Sequence, residues 1–220
     1  MPTDSSDVAR LIVAGQAPPA AWIPDIVELR LERSYIADLR PLAALTALRR
    51  LYLNRSRISD VTPLAALTHL QRLHLSFTAV SDVAPLAGMR ELGGLFLSGS
   101  LVEDVTPLTR LTALERLDLG DTQMSDATPL AGLTNLRSLD LSSTRIRDIA
   151  PLVDLTGLHF LDLTNTAVTD LSPLSGLTEL RWLIARGTRA DVGVLSHLTN
   201  CQIITAPMLP RRRVQLSPAG

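Results

Sequence analysis

A Pro-Leu pair recurs every 22 residues along most of this 220-residue chain, without drift. In each repeat an aspartate lies three residues before the proline, as Asp60 does before Pro63. A fixed period of this length is typical of solenoids, in which each coil contacts only its neighbours. The seven pairs are Pro41-Leu42, Pro63-Leu64, Pro85-Leu86, Pro107-Leu108, Pro129-Leu130, Pro151-Leu152 and Pro173-Leu174. The repeat therefore predicts a solenoid and directs the search for function to its surfaces.

Composition describes the core and limits the partners. Hydrophobic residues make up 46% of the chain and aromatic residues only 3%, so the predicted core is aliphatic and spread along the solenoid. The formal net charge of −1 gives no global attraction to nucleic acid or to an anionic membrane. The single cysteine, Cys201, excludes an internal disulfide framework and a cysteine-rich zinc site.

The sequence predicts a soluble protein of the cytoplasm. The longest early apolar run, Leu11 to Gly15, is too short for the core of a signal peptide and follows acidic residues. No stretch approaches the length that is needed to span a bilayer.

Alternating leucines in each coil predict a short strand. Leu51 and Leu53 point to one side of it, so Arg50 and Tyr52 must face solvent. Because the same pattern returns in every coil, the strands are expected to stack into a parallel sheet with about 4.8 Å between neighbours.

The second half of each coil returns the chain along the other side. Thr62 and Pro63 are interpreted as a helix N-cap and a proline at the first helical position. The segment is short, which favours 3₁₀ geometry. Asp60 and its equivalents are expected to accept hydrogen bonds from backbone N–H groups at this bend, a structural role and not a catalytic one.

The full pattern, L-x-x-L-x-L-x-x-[ST]-x-[IV]-x-D-[VIL]-x-P-L-x-x-L-x-x, resembles the leucine-rich repeat family over residues 26–200. Its length is similar to that in bacterial internalins and in the leucine-rich regulatory subunit of a nuclear Ser/Thr phosphatase. The resemblance implies an α/β solenoid, a right-handed superhelix with a concave parallel β-sheet and short 3₁₀ or helical turns on the convex side. It also implies protein binding on the concave face.

One position departs from the family pattern throughout. The ninth position of each coil, usually Asn in the family, carries a hydroxyl at Ser34, Ser56, Thr78, Ser100, Thr122, Thr144, Thr166 and Thr188. A hydroxyl has one donor where the Asn amide has two, so fewer hydrogen bonds per coil are expected.

Four segments are predicted. Residues 1–25 form an N-terminal cap, with a helix over residues 7–14 closed by Gly15, and Trp22 shielding the core. Residues 26–200 form the solenoid of eight coils, the last of them shortened by one residue. Residues 201–210 form a capping strand that places Cys201 and Ile204 in buried columns, and residues 211–220 form a disordered tail.

No arrangement of residues typical of an enzyme occurs, so no catalytic residue, cofactor or metal is predicted. The four histidines lie in different coils without metal-ligand spacing: His69, His74, His159 and His197. Gly93-Gly94 lacks the lysine and helix of a phosphate loop and is interpreted as a gap in the exposed sheet surface.

Five of the seven aromatic residues fall at positions three, five, seven and eight of their coils, which should line the concave face. They are Tyr52, Phe77, Phe96, Phe160 and Trp182. Exposed aromatic residues on a rigid sheet favour a binding surface. The alternative, that aromatic residues simply suit exposed strand positions, stays open.

Charge divides the same face. The first half carries Arg50 and Arg72, and His74 shares a column with Tyr52 and Phe96. The second half carries three aspartates in one column, Asp118, Asp140 and Asp162. Carboxylates about 5 Å apart repel by on the order of 1 kcal/mol in water, so a partner with a basic segment is predicted to face them. Ordinary solvated carboxylates explain the column equally well, and calcium does not, because it needs more oxygens than the column brings together.

Three functions remain open. The leading one is a non-enzymatic module that binds an unidentified partner protein on its concave face. The alternative is a secreted bacterial effector or adhesin of the leucine-rich-repeat type, exported without a recognisable signal peptide. Nucleic-acid binding would combine Arg50 and Arg72 with base stacking, but the neighbouring acids and the neutral net charge argue against it.

Overall fold

The computed structural model describes residues 5–205, whose strands form one open parallel sheet. In that range nine strands lie side by side in chain order. Their bounds are β1 Glu28–Arg30, β2 Arg50–Tyr52, β3 Arg72–His74, β4 Gly94–Phe96, β5 Arg116–Asp118, β6 Ser138–Asp140, β7 Phe160–Asp162, β8 Trp182–Ile184 and β9 Gln202–Ile204. From β1 to β8 each residue pairs with its equivalent one coil along, as Leu51 does with Leu73. Each column of the sequence is therefore also a column in space.

Short 3₁₀ helices connect the strands on the other side of the coils. Their bounds are Ala20–Asp25, Arg40–Leu42, Thr62–Leu64, Ala84–Leu86, Thr106–Arg110, Thr128–Leu130, Ala150–Leu152, Ser172–Gly176 and Val192–Leu195. The predicted 3₁₀ geometry of these segments is thus confirmed.

The predicted role of the repeated aspartates is confirmed, but the predicted N-cap is wrong. Asp60 Oδ1 accepts a hydrogen bond of 2.8 Å from the backbone N–H of Thr62. Val61 occupies the N-cap position and makes no side-chain bond there, and Thr62 is the first residue of the 3₁₀ helix. Because the aspartate already satisfies this amide, the threonine hydroxyl is not needed as a cap.

The core consists of stacked leucine columns. Leu51 and Leu53 of one coil are fully buried, as are Ile58 and Leu64 from its two other sides. Every coil thus contributes apolar side chains that neighbouring coils cover, and burial continues along the solenoid.

A row of hydroxyls closes the turn after each strand. In seven coils the ninth residue donates a hydrogen bond of 2.5–2.9 Å to the carbonyl oxygen three residues earlier: Ser34, Ser56, Thr78, Thr122, Thr144, Thr166 and Thr188. The hydroxyl of Ser100 is the exception, since it is buried without a hydrogen-bond partner. Instead, the backbone N–H of Ser100 bonds to Leu97 O at 3.0 Å.

A helix and Trp22 lie at the N-terminal end of the solenoid. The helix α1 (Ser5–Val13) buries Val8 and Ile12, and Gly15 follows in the left-handed region with φ 75°. Trp22 packs against the end of the core. The end of the hydrophobic column is therefore shielded from water, which a solenoid requires.

At the C-terminal end the predicted register is wrong by one residue. Trp182 pairs with Gln202 and Leu183 with Ile203, only 20 residues along the chain. Ile203, not Ile204, consequently packs against the core. The eighth coil thus loses two residues by the time it reaches β9, where the sequence predicted a loss of one. The predicted tail, residues 211–220, lies outside the described residues.

Candidate interaction surface

At the fifth position of the first four coils, one guanidinium group and three rings form a stack. The guanidinium of Arg30 lies 4.2 Å from the ring centre of Tyr52. The Tyr52 and His74 rings are 4.6 Å apart, and the His74 and Phe96 rings are 4.1 Å apart with planes 8° from parallel. Because the strand spacing is close to an aromatic stacking distance, consecutive coils bring these groups into contact. We call Arg30, Tyr52, His74 and Phe96 the ring column.

Burial within the ring column affects the titration of His74. The loss of solvent around its imidazole lowers the pKa of His74, and the positive charges of Arg72 and Arg30 lower it further, against the opposing effect of Glu32. The imidazole is therefore neutral at neutral pH, which suits a group that stacks between two uncharged rings.

Arginines on this part of the sheet differ in their partners. Arg50 Nε lies 2.6 Å from Glu28 Oε2, and Arg30 Nε lies 2.9 Å from Glu28 Oε1. The hydrogen bond from Arg30, followed by that from Arg50, lowers the pKa of Glu28. Within residues 5–205, Arg72 forms no ion pair. Of the two predicted arginines, Arg50 is thus neutralised in place and Arg72 is not.

Three carboxylates fill the same position in the next three coils, as the sequence predicted. Asp118 pairs in register with Asp140, and Asp140 with Asp162. We call these three residues the acid column. Each Oδ1 accepts a hydrogen bond from the backbone N–H two residues later, on Gly120 at 3.1 Å, Ser142 at 2.8 Å and Thr164 at 2.7 Å. These bonds were not predicted, although an aspartate with a small residue two positions later is a usable signal for them.

Two carboxylates of the acid column, Asp118 and Asp140, have raised pKa values. Burial raises the pKa of Asp118 to about 6, against the hydrogen bond from Gly120, and the charge of Asp140 adds to the increase. Burial also raises the pKa of Asp140, and the charge of Asp162 contributes in the same direction. A cation placed over the column would offset these effects.

Phe160 and Trp182 form a separate aromatic site at position three. The two residues pair in register on β7 and β8. The Trp182 side chain is 46% exposed and borders a hollow of about 400 Å³ that includes Arg181 and Gln202. These rings lie beside the acid column, not in the ring column.

Phe77 does not lie on the sheet. It occupies the turn after β3 with φ 57°, and its side chain is 49% exposed. The guanidinium of Arg55 lies 4.8 Å from its ring. The eighth position adopts this left-handed conformation in coil after coil, at Arg33, Arg55, Phe77, Gly99, Asp121, Ser143, Asn165 and Gly187. This column therefore belongs to the rim, where the sequence analysis had assigned it to the concave face.

A further exposed ring on the rim was missed. Tyr35 is 81% exposed, and the guanidinium of Arg57 lies 5.0 Å from its ring. It occupies the tenth position of its coil, outside the four positions that the sequence analysis considered.

The gap predicted at the paired glycines is present. A hollow of about 550 Å³ lies beside Gly93 and Gly94, bordered on the sheet by Arg72, Arg116 and Phe96. Gly94 itself is buried, because the ring of Phe96 lies over it.

Two histidines and the cysteine are other groups that could support chemistry. His69 Nδ1 lies 2.7 Å from Glu91 Oε1, and His197 Nε2 lies 2.9 Å from Ser175 O. Cys201 is partly buried, and burial raises the pKa of its thiol. Among the residues that the structure describes, no group of three or more His, Cys, Asp or Glu residues could hold a metal ion. Over residues 5–205, no helix has the length and apolar character to cross a bilayer.

Comparison with known proteins agrees with this geometry. The family model described as Leucine Rich repeats (2 copies) matches residues 112–154 and 134–178, and a Leucine Rich repeat model matches residues 66–84. The structure of an internalin C2 from Listeria monocytogenes is similar with a TM-score of 0.83 and 28% identity, over 90% of this chain and 92% of that one. The repeats of this chain are leucine-rich repeats. Its fold is internalin-like.

Two further structures extend the comparison of this leucine-rich repeat protein. An internalin (inlF) from Listeria monocytogenes has a TM-score of 0.73 and 25% identity, over 92% of this chain and 68% of that one. The ectodomain of a plant receptor kinase from Arabidopsis thaliana, in complex with CASPARIAN STRIP INTEGRITY FACTOR 2, has a TM-score of 0.71 and 17% identity. This similarity extends over 86% of this chain and 25% of the receptor chain, and it shows only that the two share a fold. No curated protein sequence matches the chain. Leucine-rich repeat proteins generally mediate protein–protein interaction and are typically non-enzymatic.

Proposed function

We propose that this leucine-rich repeat protein is a non-enzymatic module that binds a partner protein on its concave face, the exposed face of the sheet. The observation that supports this most directly is the ring column beside the acid column on one sheet. Such rings are already ordered by stacking, so a partner that covers them loses little additional side-chain entropy.

The two columns favour a partner with two kinds of surface. The exposed faces of Tyr52, Phe96 and Trp182 suit apolar side chains, which anchor many protein interfaces. Asp118 and Asp140 suit a lysine or arginine, because a cation there would relieve both their burial and their mutual repulsion. The partner would thus present a basic segment next to an apolar one.

A triple variant tests this proposal. Tyr52→Ala, Phe96→Ala and Trp182→Ala together remove the sheet rings, while Tyr35→Ala removes an exposed ring from the rim and serves as the matched control. Each immobilised variant is used for affinity purification from the native organism, and circular dichroism checks its fold. We expect a partner that is retained by the wild type and by Tyr35→Ala to be lost from the triple variant. Retention by a folded triple variant would move the site elsewhere.

We propose a location in the cytoplasm, where a reducing environment maintains an unpaired thiol such as that of Cys201. Cell fractionation with an antibody to the chain tests this. Detection only in the culture supernatant would instead favour the exported effector or adhesin.

A further inference from the structure

The hollow beside β4 results from two consecutive glycines. The neighbouring coils carry Arg72 and Arg116 at the position that Gly94 occupies, and they pair with it in register on either side. The two arginine Cα atoms are thus separated by two strand spacings, about 9.6 Å, and the residue between them has no side chain of its own. An opening of about 550 Å³ lies beside the two glycines, and the ring of Phe96 covers the place where a side chain of Gly94 would begin.

The two flanking guanidinium groups lack partners among the residues that the structure describes. Within residues 5–205, neither Arg72 nor Arg116 makes an ion pair or a side-chain hydrogen bond. Arg30 and Arg50, on the same face of the sheet, share Glu28. The hollow therefore has two unengaged cationic forks at its sides, and an arginine fork matches the geometry of a carboxylate.

The backbone beneath the hollow is already satisfied. The N–H groups of Gly93 and Gly94 both donate to Gln71 O, and Gly93 O accepts from the N–H groups of Glu115 and Arg116. A ligand consequently meets the guanidinium donors and the ring of Phe96, whose Cε2 lies 3.2 Å from the place of a Cβ on Gly94.

The outer margin of the hollow carries charges of both signs. Glu91 and Glu115 line it together with Arg90. Glu91 is engaged by Arg49 at 3.0 Å and by His69 at 2.7 Å. A second negative charge on the ligand would increase its repulsion from these carboxylates and its attraction to the arginines alike. The ligand class is therefore inferred from the match between an arginine fork and a carboxylate.

We propose that this hollow binds the carboxylate of an Asp or Glu side chain of the partner protein, between Arg72 and Arg116 and with its stem against Phe96. The inference rests on the proposed function, since it assigns one contact of the same interface. It also adds a requirement, because the partner must present an acidic residue here in addition to the basic segment that faces the acid column.

Titration of the full chain with synthetic peptides tests the site. The probe is the capped hexapeptide Gly-Ser-Asp-Leu-Ser-Gly, and the comparison peptide has Asn in place of Asp. Binding is followed through the arginine Nε–Hε signals in NMR spectra. We expect the Asp peptide to shift the Arg72 and Arg116 signals saturably and the Asn peptide to bind at least about tenfold more weakly, because the charge-assisted bonds are lost.

Three variants separate the site from general charge effects. Arg72→Gln with Arg116→Gln should weaken the Asp peptide about tenfold or more, while Arg110→Gln with Arg145→Gln removes the same charge from exposed positions off the sheet and should have little effect. Gly94→Gln keeps every charge but fills the hollow, and should also weaken the peptide.

Several results would overturn the inference. The Asn peptide could bind as tightly as the Asp peptide, or the Asp peptide could shift all exposed arginine signals equally. The Arg72 and Arg116 substitutions could leave its binding unchanged, or a phosphoserine peptide could bind more tightly than the Asp peptide. If the arginine variant still bound the native partner with unchanged affinity while the triple aromatic variant did not, this inference would fail and the proposed function would stand. The reverse result would retain the two arginine contacts of the site, but it would refute the proposed aromatic interface and the packing of the stem against Phe96.

Discussion

The ring column and the acid column consist of the fifth residues of different coils in one sheet, and their side chains find their contacts in different ways. In the ring column each group contacts the group of the next coil, as His74 contacts Tyr52 and Phe96. In the acid column each carboxylate bonds within its own coil, as Asp140 does to the N–H of Ser142. Strand register thus decides which side chains are neighbours, and their chemistry decides whether neighbouring coils attract or repel at the surface.

The ring column and the acid column can be compared directly only if both stand on the same hydrophobic core. Substitutions in that core are expected to have the largest effect on stability. Leu73 of β3 and Leu139 of β6 are both fully buried. Leu73→Ala and Leu139→Ala should each lower the free energy of unfolding by about 2–5 kcal/mol, through lost burial and the remaining cavity. Chemical denaturation measures both. Unequal losses, by more than about 1 kcal/mol, would show that the halves differ below the surface as well.

The central members of the two columns give the next effect. His74→Ala removes two ring contacts and should cost about 1–2 kcal/mol. Asp140→Ala loses one hydrogen bond but relieves two repulsions, so its net change should stay within about 0.5 kcal/mol. Denaturation at pH 7.5 compares them. A larger loss of unfolding free energy for Asp140→Ala would mean that the acid column stabilises the contacts between its coils.

The pH dependence of stability offers a sharper test of the acid column. Folded Asp118 releases its proton near pH 6, whereas an unfolded aspartate does so near pH 4. Between these values the folded state holds more protons, so stability falls as the pH rises through this window. Asp118→Asn cannot ionise yet keeps an acceptor for Gly120. Its Tm relative to wild type should therefore increase by about 2–4 °C from pH 4 to pH 7.5.

Asp104→Asn provides a control with the opposite sign. Hydrogen bonds from Thr106 lower the pKa of Asp104, so its ionised form stabilises the folded state above pH 4 and loses that effect as the pH falls. The Asn variant should be less stable than wild type at neutral pH, with the difference closing in acid. If the Tm of both variants changed with pH in the same way, the conclusion that ionised Asp118 destabilises the folded state would be contradicted.

The smallest effect is expected in the coil that joins the two columns. The Ser56 hydroxyl bonds to Leu53 O at 2.5 Å, so Ser56→Ala should cost about 1 kcal/mol. The Ser100 hydroxyl has no partner, so Ser100→Ala should be neutral or slightly stabilising. Paired denaturation curves check this difference. Equal costs would indicate that Ser100 makes its bond in solution.

The period alone was sufficient to predict the sheet, the aliphatic core and the aspartate bonds at the 3₁₀ helices. These features repeat, so one coil determines the next. What it could not predict depends on side-chain rotamers and on breaks in the repeat. Three such features leave no mark in the repeat pattern. They are the parallel planes of His74 and Phe96, the unpartnered hydroxyl of Ser100, and the second deletion before Ile203.

One missed feature did have a signal in the sequence. The eighth position carries Gly99, Asp121, Asn165 and Gly187, which are residue types that tolerate positive φ. That column predicts a turn, and with it the placement of Phe77 on the rim. Whether the sheet rings bind a partner stays a prediction.

The unbroken register from β1 to β8 makes the sheet a molecular ruler. Equivalent groups stand at multiples of one strand spacing, so Phe96 and Asp162 are three steps, about 14 Å, apart. An extended peptide covers that distance in about four residues. A partner peptide that crosses the strands would therefore need a fixed number of residues between the apolar side chain on Phe96 and the basic side chain on Asp162. Candidate partners can be recognised by that spacing in their sequences.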